Sequence, residues 1–183
     1  APQADFGDAP SPYPVTRSEN GAEHAPTGPT LGATRDEEVD GVHSAAADAD
    51  GADEDGVVDT GADLIVGQTG AGVTINVQNA PGGAKLDAWI DFNQDGDWDD
   101  SGEQILTSSA VVDGDNALTF DIPATAISGT THARLRLSTA GSLGVTGSAA
   151  DGEVEDHQIE ISAVDVLVFS FGSGDNVIVL SDN

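Results

Sequence analysis

GVTINVQNAPGGAKLDAWIDF, residues 72–92, decides the fold class. Val73, Ile75 and Val77 alternate with Thr74, Asn76 and Gln78. Leu86, Ala88, Ile90 and Phe92 then alternate with Lys85, Asp87, Trp89 and Asp91. A period of two puts apolar side chains on one face of a strand, and Asn79 to Gly83 supplies a turn between the two runs. The same alternation returns at Leu118, Phe120 and Ile122, and at Ala133, Leu135 and Leu137, the last three interleaved with His132, Arg134 and Arg136. No window keeps a helical period. The pattern predicts an all-β chain, an antiparallel β-sandwich of jelly-roll or immunoglobulin-like type.

Residues 1–60 read differently. They are rich in Pro, Gly, Ala and acid, a composition that by itself does not order. The expected organisation is therefore residues 1–163 as one module, with 1–60 an acidic, irregular half and 61–163 the strands. Residues 164–183 follow as an apolar strand pair. There Val166 to Phe169 and Val177 to Leu180 are apolar on both faces and are separated by a Gly-Ser-Gly-Asp-Asn turn. Such strands either fill the centre of their own sheet pair or dock on a neighbouring chain.

The chain of 183 residues carries 33 acids against 5 bases, a formal net charge of −28. That field repels phosphate backbones and anionic membrane surfaces and attracts cations. Nucleic acid and membrane insertion are excluded as expectations. Cysteine is absent, so neither disulfides nor thiolate metal sites are available. Metal ions are an alternative staple for a chain outside the cell. The chain lacks methionine and opens on Ala1-Pro2-Gln3, which reads as a product of leader cleavage or an excised piece.

DFNQDGDWDDSGE, residues 91–103, crowds carboxylates into one loop. Side-chain oxygens fall on alternate positions at Asp91, Asn93, Asp95, Asp97 and Asp99, with Gly96 at the sixth position, where a calcium loop turns sharply. Trp98 occupies an anchor position. The helix-flanked calcium loop has Glu at position 12, whereas here Gly102 is twelfth and Glu103 thirteenth. The flank is a strand. The expectation is a calcium loop between strands, closed by Asp99, Asp100 or Glu103; the plain alternative is a solvated acidic turn. Calcium suits this oxygen-rich loop better than magnesium. A less regular second cluster holds Asp48, Asp50, Asp53 and Asp55.

No H-E-x-x-H, no Gly-x-Ser-x-Gly and no phosphate-cradling loop occurs, so an enzyme is not expected. His24, His43, His132 and His157 read as surface or packing residues.

Three motifs together carry a family resemblance: Asp5-Phe6-Gly7-Asp8-Ala9-Pro10 followed by Tyr13, Trp89 through Glu103, and Gly152-Glu153-Val154-Glu155-Asp156. Over residues 4–163 the chain resembles the GEVED domain. The resemblance implies a secreted, β-rich, calcium-associated bacterial module of surface or adhesive proteins, with no catalytic activity. His157 stands where an aromatic residue is expected. The resemblance further suggests that Asp5, Asp8, Glu153, Glu155 and Asp156 meet, with part of 36–55, around one or more calcium ions. These would clamp the acidic half onto the strands. The alternative is that Asp5 and Asp8 bond turn amides. The expected role is a calcium-stapled structural subunit or repeat of an extracellular, cell-surface fibre or adhesin. Its partners would be copies of itself or neighbouring modules. The alternative is a glycan- or peptide-binding accessory module.

Overall fold

The computed structural model describes residues 3–49, 54–61 and 63–164, together with the backbones of 166–170 and 177–181. Asp50 and Asp53 lie outside the described residues. The described residues are all-β, with one three-residue 3-10 turn at Arg17–Glu19. No described helix is long and apolar enough to cross a membrane.

The strands group by hydrogen bonding. β1 (Asp5–Phe6), β2 (Ala22–His24) and β11 (Gly147–Ala149) form a three-stranded sheet. β3 (Thr30–Leu31), β4 (Val57–Asp59) and β9 (Gly114–Phe120) all pair with β6 (Ala71–Gln78). The largest sheet runs β5 (Leu64–Ile65), β12 (Glu153–Ser162), β10 (Gly129–Ser138), β7 (Ala84–Ile90), β8 (Gln104–Val111). β13 (Val166–Ser170) and β14 (Val177–Ser181) pair antiparallel in a two-stranded sheet of their own.

The runs read from sequence became β6, β7, β9 and β10. The sheets are not purely antiparallel: β2 runs parallel to β11, and β5 to β12. Both parallel pairs join segments distant in sequence, and neither has a periodic run long enough to signal it.

One apolar cluster draws on two sheets. Leu31, Ile75, Val77 and Phe120 come from the β6 sheet, and Leu86, Ile90, Leu106, Leu135, Leu137 and Ile161 from the five-stranded one. Each fully buried aliphatic contributes about 1.5–3 kcal/mol.

The opposite face of β7, β10 and β12 departs from the half-buried expectation. Arg134 and Arg136 are fully buried, as are Asp87 and Trp89. The N-terminal half covers that face: Ala9, Tyr13 and Val15 pack with Trp89 and Trp98 in a second cluster. The segment that composition alone leaves unordered is therefore the lid of this face. Gly7 passes so close that a Cβ there would stand 2.2 Å from Asp156 Oδ2. Only glycine allows the backbone that near.

Candidate metal centre

The loop 91–103 links neighbouring antiparallel strands β7 and β8. Its base is locked inside the protein. Asp91 is fully buried. Its Oδ1 accepts from Gln94 N at 2.6 Å, and its Oδ2 accepts from Gly96 N at 3.0 Å and Tyr13 Oη at 2.6 Å. Burial, then the bond to Asp91, pushes the Tyr13 phenol up, so it stays a donor. Glu103 is buried too, accepting from Phe92 N at 3.1 Å and Asp100 N at 3.2 Å. Burial pushes Glu103 up to about 7 against the pull of those two amides.

Beyond that base the loop ascends by short side-chain-to-amide bonds. Asn93 Oδ1 accepts from Asp95 N at 3.1 Å, Asp95 Oδ1 from Asp97 N at 3.4 Å, and Asp97 Oδ1 from Asp99 N at 2.9 Å. Gly96 turns at φ +93°, where a side chain is strained and would also strike Pro12. The ladder brings one carboxylate oxygen each from Asp95, Asp97 and Asp100 within 4.8 Å of one another at the exposed tip. Asn93 Nδ2 donates to Asp95 at 3.0 Å and to Asp100 at 2.6 Å. The oxygen-only donor set fits a hard cation. Asp91 and Glu103 shape the loop from below, and Asp99 stands outside the converging group.

The remaining acids split between two places. In the register of β10 and β12, Arg134 faces Asp156 and Leu135 faces Glu155. Asp156 therefore shares the lid-covered face with Arg134, while Glu153 and Glu155 share the apolar-core face. Asp156 grips Arg134 in a fork, Oδ1 to Nε at 2.7 Å and Oδ2 to Nη2 at 2.7 Å, and Oδ2 also accepts from Ala9 N at 3.0 Å. Both oxygens are thus committed to an arginine and the lid. Asp5 Oδ2 accepts from Val154 N at 2.7 Å, and Asp8 Oδ2 from Ala49 N at 2.5 Å.

On the other face Glu153 Oε2 accepts from Leu31 N at 2.6 Å, and Glu155 Oε1 accepts from Gly56 N at 2.8 Å. These two carboxylates reach from β12 to the segments that carry β3 and β4. The acidic half is held by buried carboxylates that accept its amides. Burial, with Asp5 and Glu155 close, pushes Glu153 up to about 10. Burial there favours the protonated carboxyl over the bare charge. Asp55 is partly buried and accepts from Ala33 N at 3.0 Å, and Asp48 bonds Ser44 Oγ at 2.5 Å. Among the described residues a second metal-capable group joins Glu54, Glu155 and His157.

Sequence reasoning missed Arg134, Arg136 and His24 as the buried polar core beneath the lid. Arg136 donates to the carbonyls of Gly144, Thr146 and Gly147 and to His24 Nε2 at 3.0 Å. His24 Nδ1 lies 2.8 Å from the Asp151 carbonyl. A guanidinium only donates and a carbonyl only accepts, so this ring is neutral with its proton on Nδ1.

Burial first, then Arg136, holds His24 at about 3 instead of 6.5. Between those values the unfolded chain binds more protons. The stability this adds is complete above pH about 6.5 and is lost as pH falls, by roughly 1.4 kcal/mol per unit at most. Glu103 and Glu153, both held above their ordinary values, act in the opposite sense as pH falls, so the His24 loss is read as the difference between the native chain and H24Q in urea unfolding at pH 7 and pH 5. An unchanged slope in H24Q would place the pH dependence elsewhere.

Comparison with curated proteins gives no match, and comparison with solved structures gives none. One family model does match, that of the GEVED domain, over residues 85–160. The matched stretch runs from β7 through the 91–103 loop and β10 into β12, so it includes the loop tip and the Arg134–Asp156 pair. Residues 85–160 of this chain are thus similar to the GEVED domain, over less than half of its 183 residues.

Proposed function

We propose that the chain is a non-catalytic, calcium-binding structural module of the extracellular surface, a subunit or repeat of a bacterial fibre or adhesin. The observation that carries the reading is the loop tip, where oxygens of Asp95, Asp97 and Asp100 converge within 4.8 Å at an exposed position. The donors are all oxygen, as calcium requires, and the fixed base formed by Asp91 and Glu103 pre-positions them. Bound there, calcium supplies the positive charge that offsets mutual repulsion of the three carboxylates. Asn93, Gly96 and Trp98 orient and hold the loop. The proposed architecture is two sheets packed face to face with the acidic half as a lid.

Self-assembly by strand docking belongs to the same proposal. Support comes from β13 and β14, which pair in a sheet separate from the others.

The test is thermal unfolding in calcium and in excess EGTA, with light scattering alongside. An ion bound only to the folded state adds about 2.7 kcal/mol at 100 times its dissociation constant. For a chain of this length that is a rise on the order of 5–10 °C per ion. The double variant D95N/D97N should lose the loop's share. A melting temperature that does not move between calcium and EGTA overturns calcium binding. A chain that stays monomeric in calcium at high concentration overturns assembly.

A further inference from the structure

We propose that Glu54, Glu155 and His157 form a second metal centre, selective for a divalent ion that accepts imidazole, with zinc the best fit. β12 places Glu155 and His157 two residues apart on one face, and His157 Nε2 lies 3.0 Å from Glu155 Oε2. Glu54 arrives from the segment that leads into β4, its Oε2 3.5 Å from the same nitrogen. One ligand atom from each residue lies within 4.8 Å of the other two. The side chain of Glu155 is 1% exposed, that of Glu54 13% and that of His157 19%. Two carboxylates are held here in a site mostly removed from water, against one imidazole.

Zinc binds carboxylate oxygen and imidazole nitrogen at about 2.0–2.2 Å in a tetrahedron, which sets neighbouring ligand atoms about 3.3 Å apart. The distances of 3.0 and 3.5 Å straddle that value. Calcium takes oxygen ligands, so the imidazole turns selectivity away from calcium, whereas the 91–103 loop offers oxygen only. The two centres thus differ in donor chemistry and select different ions.

The surroundings are those of a built site. Glu155 Oε1 is fixed by Gly56 N at 2.8 Å, which aims its other oxygen at His157. The Gly56 carbonyl accepts from Asn76 N of β6 at 2.8 Å. Such outer bonds orient a ligating carboxylate. The fourth position falls to water. A metal here ties the start of β4 to β12, across two sheets.

The experiment uses the full chain, stripped with EDTA, dialysed and held in excess calcium chloride. Zinc chloride is then titrated by calorimetry, and cobalt(II) is added as a spectroscopic probe of tetrahedral geometry. The expected result is one zinc per chain, with H157Q and E54Q each weakening it by about 100-fold or more. D95N/D97N should leave zinc binding intact, which separates this centre from the loop. H43Q should also leave it intact, since another partly exposed histidine is not involved. Calcium-dependent melting of H157Q, measured in parallel, checks that the variant folds. Absence of zinc binding overturns the proposal, and leaves His157 as a hydrogen-bond partner of Glu155. Zinc affinity unchanged in folded H157Q also overturns it, as does equal loss in D95N/D97N.

Discussion

Replacing Asp156 by Asn is expected to destabilise the protein by about 3–5 kcal/mol, the cost of leaving one member of a buried ion pair without its partner. Arg134 and Asp156 are both fully buried and joined by two bonds of 2.7 Å. The amide that replaces one oxygen points a donor at a guanidinium that can only donate. Ala9 N also loses the charged acceptor that ties the lid to β12. For a domain of this size the fall in melting temperature is on the order of 10 °C. Circular dichroism melts in saturating calcium, so that ion binding does not vary, measure it. The double variant R134M/D156L should recover much of the loss, because an apolar pair removes both buried charges together. A fall below about 1 kcal/mol in D156N would show that the pair is solvated, as surface pairs are.

The second large effect is expected from Trp98→Ala. Trp98 is 3% exposed. Its ring centroid lies 4.2 Å from that of Tyr13, and the Arg134 guanidinium sits 4.5 Å above it. Its Nε1 donates to the His132 carbonyl at 3.1 Å. Loss of a buried aromatic of this size costs about 3–5 kcal/mol. Two readouts should move together. Melting temperature falls, and, on the proposed reading of the loop, its calcium affinity falls too, because Trp98 stands between Asp97 and Asp99 and pins the ladder. W98F, which keeps a ring and loses the N–H, should fall between. Combined with R134M, the loss should be less than the sum, since the two side chains touch. Full calcium affinity in W98A would show that Asp91 and Glu103 alone hold the loop.

Much of the architecture was legible because its signal is local. Alternation at Val73–Val77, Leu86–Ile90 and Ala133–Leu137 is set by strand geometry, where successive side chains point to opposite faces. The turn at Gly96 and the alternate oxygens of 91–103 are local as well. Glu153 and Glu155 were read as sharing one face of an extended segment opposite Val154, and the register of β12 with β10 agrees.

The same alternation misread the other face of β10. Arg134 and Arg136 look solvated to any argument from period two. They are buried because residues 5–24 lie over them, bonded from Ala9 to Asp156 and from Pro14 to Arg134 across more than a hundred residues. Composition alone leaves the acidic half unordered, and in the structure it is ordered against the strands. Its partners are carboxylates and arginines supplied by β10 and β12.

By itself, then, the amino-acid sequence determined strands β6, β7, β9 and β10, the acidic loop and the absence of thiol chemistry, since each depends on neighbours within a few positions. The tertiary structure alone decided which of the carboxylates outside that loop bond amides and which grips an arginine. Those roles depend on the register between β10 and β12 and on where the lid crosses them, and distant segments set both.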